Sequence, residues 1–148
     1  MTLQLWNPPQ LTVQAQSCTD EERKISRKCW DLQQIQELVR NKKLIIKLTP
    51  SAQTDNRNEL SFSGADFEKF ICALHAGRYS CSEWCLANKN VSTVPRAADV
   101  YIMGFNRFKG EENQKTNPWI YFKFTIKQQG EQVVMIVYSA HPERKEKS

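Results

Sequence analysis

The chain has 148 residues, of which 40% are hydrophobic and 25% are charged, and its formal net charge is +5. This length and composition predict one soluble domain that needs neither a disulfide nor a metal to bury a stable core. The positive charge favours an anionic partner (nucleic acid, an acidic protein or a membrane surface), although an ordinary basic surface would explain it equally well.

Helical patterns come first along the chain. Residues 1–18 contain Pro8-Pro9 and show little periodicity, so we expect an extended arm or a loose first strand. Thr19 and Glu22 have capping-box spacing, which predicts a helix with Ile25 and Cys29 on its apolar face. These residues form a predicted N-terminal extension, 1–30, and the folded domain is predicted to occupy 31–148.

The predicted domain begins with helices and one strand. Asp31 is the predicted N-cap of a helix, and Leu44–Leu48 has the composition of a strand. Residues 51–59 are polar and predict a loop, with a helical turn within it as the alternative. Ser63 and Asp66 predict a second capping box, whose helix ends at Gly77, and residues 80–88 predict a further short helix.

The C-terminal third alternates strictly between apolar and polar side chains. Its apolar positions are Ile120, Phe122, Phe124 and Ile126, and the positions between them are Tyr121, Lys123, Thr125 and Lys127. A period of two predicts a half-buried strand, and Gln129-Gly130 predicts a hairpin turn into a buried strand over 133–138. With a strand over 100–105, the fold class is α+β, a small antiparallel sheet with helices packed on one face.

The cysteines suggest a compartment and an alternative site. Their odd number, five, argues against a complete set of disulfides, and no stretch could span a membrane or act as a signal peptide. We therefore expect a cytoplasmic protein. Zinc is the alternative for Cys72, His75, Cys81 and Cys85, although their spacing is unusual and packing cysteines with a solvated histidine explain them as well.

Enzyme motifs are scarce, whereas aromatic and basic side chains are plentiful. There is no Walker A loop, no dinucleotide-binding glycine pattern and no nucleophile elbow. Lys and Arg can hold phosphates and Tyr can stack on unpaired bases, so the set Arg96, Tyr101, Arg107, Lys123 and Lys127 fits RNA binding. A metal-free ribonuclease needs only such groups, although most single Lys or Arg residues are ordinary surface residues.

Six segments together resemble a known family. Their order and spacing over residues 31–141, above all Asp66-Phe67-Glu68-Lys69, Asp99-Val100-Tyr101 and Tyr121-Phe122-Lys123, are similar to those of the MqsR toxins. That family consists of ribosome-independent mRNA interferases with a RelE-like fold. The resemblance implies an endoribonuclease toxin that cuts single-stranded mRNA by metal-free 2′-hydroxyl attack and is neutralised by an antitoxin protein, with no cofactor.

The resemblance also implies site residues. It makes Lys69 and Tyr121 catalytic and sets them across from each other. Two positions depart from the family, because Ala98 stands where the family has glutamine and Ala140 where it has a final lysine.

The neighbouring His141 is our candidate replacement for that lysine as general acid, since histidine ionises near neutral pH. Arg107 and Arg144 are alternative sources of the charge. With the hairpin turn at Gln129-Gly130, Tyr121 is predicted to face Tyr138, and His141 points to the other face unless a bulge turns it. The runner-up function is a non-catalytic nucleic-acid-binding or protein-binding module, in which the cysteines could hold zinc.

Overall fold

The computed structural model describes residues 23–85, 96–115 and 118–144. Within these ranges three α-helices are present: α1 (Leu32–Arg40), α2 (Pro50–Asp55) and α3 (Gly64–Ala73). The strands are β1 (Lys24–Ile25), β2 (Leu44–Leu48), β3 (Tyr79–Cys85), β4 (Arg96–Met103), β5 (Phe105–Asn106), β6 (Glu111–Glu112), β7 (Ile120–Gln129) and β8 (Gln132–Pro142). A π-helical turn spans Asn56–Leu60 and a 3-10 turn spans Ala76–Arg78.

Six strands form one sheet in the order β1-β3-β4-β7-β8-β2, and β5 pairs with β6 in a separate two-stranded ribbon. Neighbouring strands are antiparallel, except that the edge strand β2 runs parallel to β8. The α+β class is therefore confirmed, and the sheet is mostly antiparallel. No helix in the described ranges is long and apolar enough to cross a membrane.

Helices α1 and α3 cover one side of the sheet, which we call the first face. The first-face core includes Phe122, Phe124, Ile126, Met135 and Val137, which cluster with Ile35, Leu38, Phe67, Phe70 and Ile71 of the helices. The Phe70 and Phe122 rings meet edge to face, with centroids 5.2 Å apart. Burial of this apolar area is the main force that holds the helices on the sheet. The opposite side is the second face.

Side-chain caps define the helix ends as the sequence predicts. Asp31 accepts a hydrogen bond from the Gln34 backbone N–H at 3.3 Å, and Ser63 and Asp66 form a reciprocal capping box. Gln36 of α1 supplies an additional cap, because its Nε2 donates to the Ile71 and Leu74 carbonyls at 3.0 and 2.8 Å. The Ile71 carbonyl also accepts from the Leu74 backbone N–H at 3.2 Å, so the amide adds to the hydrogen bonding of the backbone acceptors at the end of α3.

Several secondary-structure predictions are wrong. The short helix predicted at residues 80–88 is instead β3 up to Cys85, because Ser82 and Trp84 pack on one face while Glu83 lies on the other. Residues 24–25 are a strand rather than helix, and the predicted loop at 51–59 is occupied by α2 and the π-helical turn. Helix α3 ends at Ala73, before Gly77. The predicted capping box at Thr19 and Glu22 lies outside the described residues.

Part of the predicted N-terminal extension packs on the sheet. Strand β1 forms the edge next to β3, and Asp99 accepts hydrogen bonds from the backbone N–H groups of Cys29 and Trp30 at 2.8 and 3.0 Å. The Ser82 hydroxyl donates to the same carboxylate at 2.5 Å. Asp99, which belongs to the Asp-Val-Tyr motif, thus joins residues 29–30 to the first face.

Candidate functional site

A β-bulge in the hairpin decides which side chains meet on the second face. The turn is at Gly130-Glu131, and from Gln129 to Phe124 the pairing is regular, with Phe124 opposite Val137. Lys123 then pairs with Ser139, so Tyr138 is the extra residue. This shift places His141 opposite Tyr121, and both therefore lie on the same face.

The predicted pairing of Tyr121 with Tyr138 is consequently wrong, whereas the bulge that His141 required is present. Ala140 pairs with Phe122 on the first face and is fully buried in the core. The position where the family lysine was expected therefore cannot reach the second face. Because Tyr138 is an inserted residue, His141 takes the place next to Tyr121 that Ala140 would have in a regular hairpin.

The Tyr121 and His141 rings form a parallel stack. Their centroids are 5.2 Å apart and their planes differ by 9°. The His141 Nδ1–H donates to the Pro142 carbonyl at 2.8 Å, since a carbonyl oxygen can only accept. This bond leaves Nε2 as the ring nitrogen that can exchange a proton with a ligand. His141 is 9% exposed, so little of the residue is open to solvent.

The Tyr121 phenol is held in its protonated form. Burial raises the pKa of Tyr121, the Lys123 ammonium opposes that rise, and the Glu83 carboxylate adds to it. A raised pKa keeps the hydroxyl a hydrogen-bond donor at and above neutral pH. Tyr121 is therefore suited to donating a hydrogen bond to an anionic oxygen rather than to removing a proton.

Lys123 forms an ion pair that sequence reasoning missed. Its Nζ lies 2.9 Å from Glu83 Oε1, and the two side chains are 16% and 27% exposed. Burial alone would lower the pKa of Lys123, but nearby negative charge, including that of Glu83, raises it overall. The predicted phosphate-binding charge is thus largely neutralised. In a strand, Cys81, Glu83 and Cys85 lie on one face. Recognition of residues 80–88 as a strand would therefore have identified Glu83 as a candidate partner of Lys123.

Tyr138 and Arg96 extend this group along the second face. Burial raises the pKa of Tyr138 to about 12, the negative charge of Cys85 in its thiolate form raises it further, and the Arg96 guanidinium opposes the rise. Burial likewise raises the pKa of Cys85 to about 11, so this thiol is protonated at neutral pH. We call Glu83, Tyr121, Lys123, Tyr138 and His141 the polar cluster. The predicted RNA contact Lys127 lies on the same face, where it pairs with Val134.

Lys69 is not part of the polar cluster. It is exposed on α3, which covers the first face. Its aliphatic stem packs beside Gly110, since a Cβ atom added to that glycine would lie 3.1 Å from the Lys69 Cδ. Tyr121 is on the second face, so the sheet separates the two predicted catalytic residues. The expectation that they stand across from each other is wrong for this structure.

Two predicted RNA contacts have structural roles instead. Tyr101 is fully buried in the first-face core, stacked on Phe124 with centroids 6.2 Å apart, and cannot touch RNA there. Arg107 donates to the Leu60 carbonyl at 3.0 Å and to Asp66 Oδ2 at 2.9 Å. It fixes the start of α3 to the β5–β6 ribbon.

The zinc alternative and the Arg144 alternative are both disfavoured by geometry. Among the described residues, no three His, Cys, Asp or Glu side chains are placed to hold a metal. His75 instead lies 3.0 Å from Glu112, and Cys72 is on α3 while Cys81 is on β3. Arg144 pairs with Asp55 and Glu59, at 3.3 and 3.5 Å.

No protein-family model matches the chain, and neither a curated protein nor a solved structure matches it. The likeness to the MqsR toxins therefore stays an expectation that rests on the short motifs themselves.

Proposed function

We propose that this protein is a metal-independent endoribonuclease that cuts single-stranded mRNA, a toxin of the MqsR type with a RelE-like fold. The observation that carries the proposal is the Tyr138 bulge, which stacks the His141 imidazole on the Tyr121 ring, with His141 Nδ1 bound to the Pro142 carbonyl. His141 thereby lies next to Tyr121, the place that Ala140 would have in a regular hairpin. The net charge of +5 supports an anionic substrate.

The proposed reaction has two proton transfers. The 2′-oxygen of the RNA attacks the adjacent phosphorus and gives its proton to water, and the 5′-oxygen leaves with a proton from the His141 imidazolium. The products are a 2′,3′-cyclic phosphate and a free 5′-hydroxyl. Tyr121 donates a hydrogen bond to a phosphoryl oxygen, where negative charge develops in the transition state.

Lys69 receives a different role from the one that the resemblance implies. Since the sheet separates it from Tyr121, we assign it to RNA binding. A change of Lys69 to Ala then raises KM and leaves kcat nearly unchanged, whereas a catalytic Lys69 would lower kcat. As for other toxins of this type, the expected partner is an antitoxin that blocks the basic surface.

Cleavage of single-stranded RNA without ribosomes, in the presence of EDTA, tests the proposal. We expect Tyr121→Phe and His141→Gln each to lower the rate by about 100-fold or more, because each removes a proton donor. Tyr138→Phe is the matched control, since it removes a hydroxyl from the same face outside the ring stack. Cleavage that is unimpaired in both Tyr121→Phe and His141→Gln would exclude this site.

A second candidate is a non-catalytic nucleic-acid-binding module. It is favoured by the separation of Lys69 from Tyr121, because the two predicted catalytic residues do not meet in one site. The same assay distinguishes the two functions. Binding of intact RNA without the formation of a cyclic phosphate, and no growth arrest on expression, would select this candidate.

A further inference from the structure

The turn between β5 and β6 is a fixed loop with an exposed aromatic residue at its tip. Asn106 Oδ1 accepts hydrogen bonds from the backbone N–H groups of Phe108 and Lys109 at 3.0 and 3.1 Å. The Gly110 N–H donates to the Asn106 carbonyl at 2.8 Å, and Gly110 has a φ of +68°, which favours glycine. The turn is thus held in one conformation by local hydrogen bonds.

Phe108 is 90% exposed, whereas Phe105 in the same ribbon is 5% exposed. The other exposed large apolar side chain in the described ranges is Ile45, at 36%. The Arg107 guanidinium lies 5.8 Å from the centroid of the Phe108 ring, and the same guanidinium donates a hydrogen bond to Asp66. Because so little of the residue is covered, the ring can accept a stacking partner.

Two unpaired ammonium groups accompany this ring. Lys109 is the next residue and is exposed, and the Lys69 stem packs beside Gly110. In the part of the chain that the structure describes, neither ammonium has an ion pair. Of the nearby acids, Asp66 is paired with Arg107 and Glu112 with His75 and Arg78, which leaves Glu111 exposed. Positive charge therefore exceeds negative charge around the tip.

We propose that Phe108 stacks on an unpaired base of single-stranded RNA and that Lys69 and Lys109 bind the flanking phosphates. Base–aromatic stacking between cationic side chains is the usual way to hold a single strand without reading its sequence. The choice of RNA over another single strand rests on the proposed function. We call Lys69, Phe108 and Lys109 the aromatic tip.

The aromatic tip is at the same end of the sheet as the Tyr121–His141 stack. Tyr121 pairs with Ile102, Ile120 pairs with Met103, and β5 begins two residues after β4 ends. The tip extends from the first-face side of this end, and the Tyr121–His141 stack lies on the second face. One strand of RNA that passes around the end of the sheet contacts both.

Binding is tested without cleavage by using a fluorescent single-stranded RNA with 2′-O-methyl groups throughout. We expect Phe108→Ala to weaken the affinity measured by anisotropy about tenfold, and Phe108→Tyr to retain it. Ile45→Ala is the matched control, an exposed apolar residue on a distant edge strand. Lys69→Gln and Lys109→Gln should each reduce the slope of log affinity against log salt by about 0.7.

Wild-type affinity in Phe108→Ala would overturn the proposal, and a surface for a protein partner would then be the better explanation of the exposed ring. The probe has no 2′-hydroxyl and cannot be cut by the proposed reaction, so it measures binding alone. The test of the aromatic tip is therefore independent of the test of the nuclease. Phe108-dependent binding without cleavage of unmodified RNA would support the tip and reject the nuclease. Cleavage of unmodified RNA together with binding that does not depend on Phe108 would support the nuclease and reject the aromatic tip.

Discussion

The two faces of β7 differ in what burial demands of them. On the first face, Phe122, Phe124 and Ile126 pack against helices, and the only requirement is complementary apolar shape. On the second face, Tyr121 and Lys123 are half-buried polar residues, and each has a specific partner: His141 for the ring and Glu83 for the ammonium. Apolar packing tolerates many sequences, whereas partly buried polar groups need particular partners at fixed positions. Substitutions on neighbouring residues of this strand can therefore separate stability from function.

The largest expected effect is on the first face. Phe122→Ala removes a fully buried ring that meets Phe70 and Phe67, and we expect the free energy of unfolding to fall by about 3–5 kcal/mol. Tyr121→Phe, one residue away, should change it by less than about 1 kcal/mol while removing activity. Urea unfolding followed by circular dichroism measures both. Equal losses of stability would show that the two faces are not distinct in this way.

An intermediate effect is expected at the ion pair on the second face. Glu83→Gln leaves the Lys123 ammonium partly buried without its counter-charge, so the free energy of unfolding should fall by about 1–2 kcal/mol. The freed charge should at the same time strengthen RNA binding. Lys123→Met in the Glu83→Gln background is the control, and it should recover stability while losing the gain in affinity. No change in either property would contradict the pairing.

The smallest effect is expected at the start of α3. The Ser63 backbone N–H and the Arg107 guanidinium hold the pKa of Asp66 below its usual 3.8. Because the folded-state pKa is depressed, the stabilisation is present at neutral pH and is lost as the pH falls through the folded-state value. Asp66→Asn should cost about 1 kcal/mol at neutral pH and progressively less in acid, below about pH 4. Thermal unfolding followed from neutral to acidic pH measures this difference, and a pH-independent cost would contradict an electrostatic origin.

Much of the fold follows from local sequence signals. The alternation over 120–127 defined the two faces of β7, and the capping residues Asp31 and Ser63 marked the starts of α1 and α3. These predictions are correct because a period of two and a side-chain cap each depend on only a few adjacent residues. Residues 80–85 were mistaken for helix because their strand conformation depends on pairing with β4, which is distant in sequence.

The sequence by itself determined that β7 has one apolar face and one aromatic, basic face. It also placed Tyr121 and Lys123 together on the second face and identified His141 as a candidate that needed a bulge. Only the tertiary structure decided that Tyr138 is the bulged residue, that Glu83 neutralises Lys123 and that Lys69 lies behind the sheet. The physical reason is that strand register and sheet order arise from long-range pairing, and a shift of one residue reverses the face of every side chain beyond it.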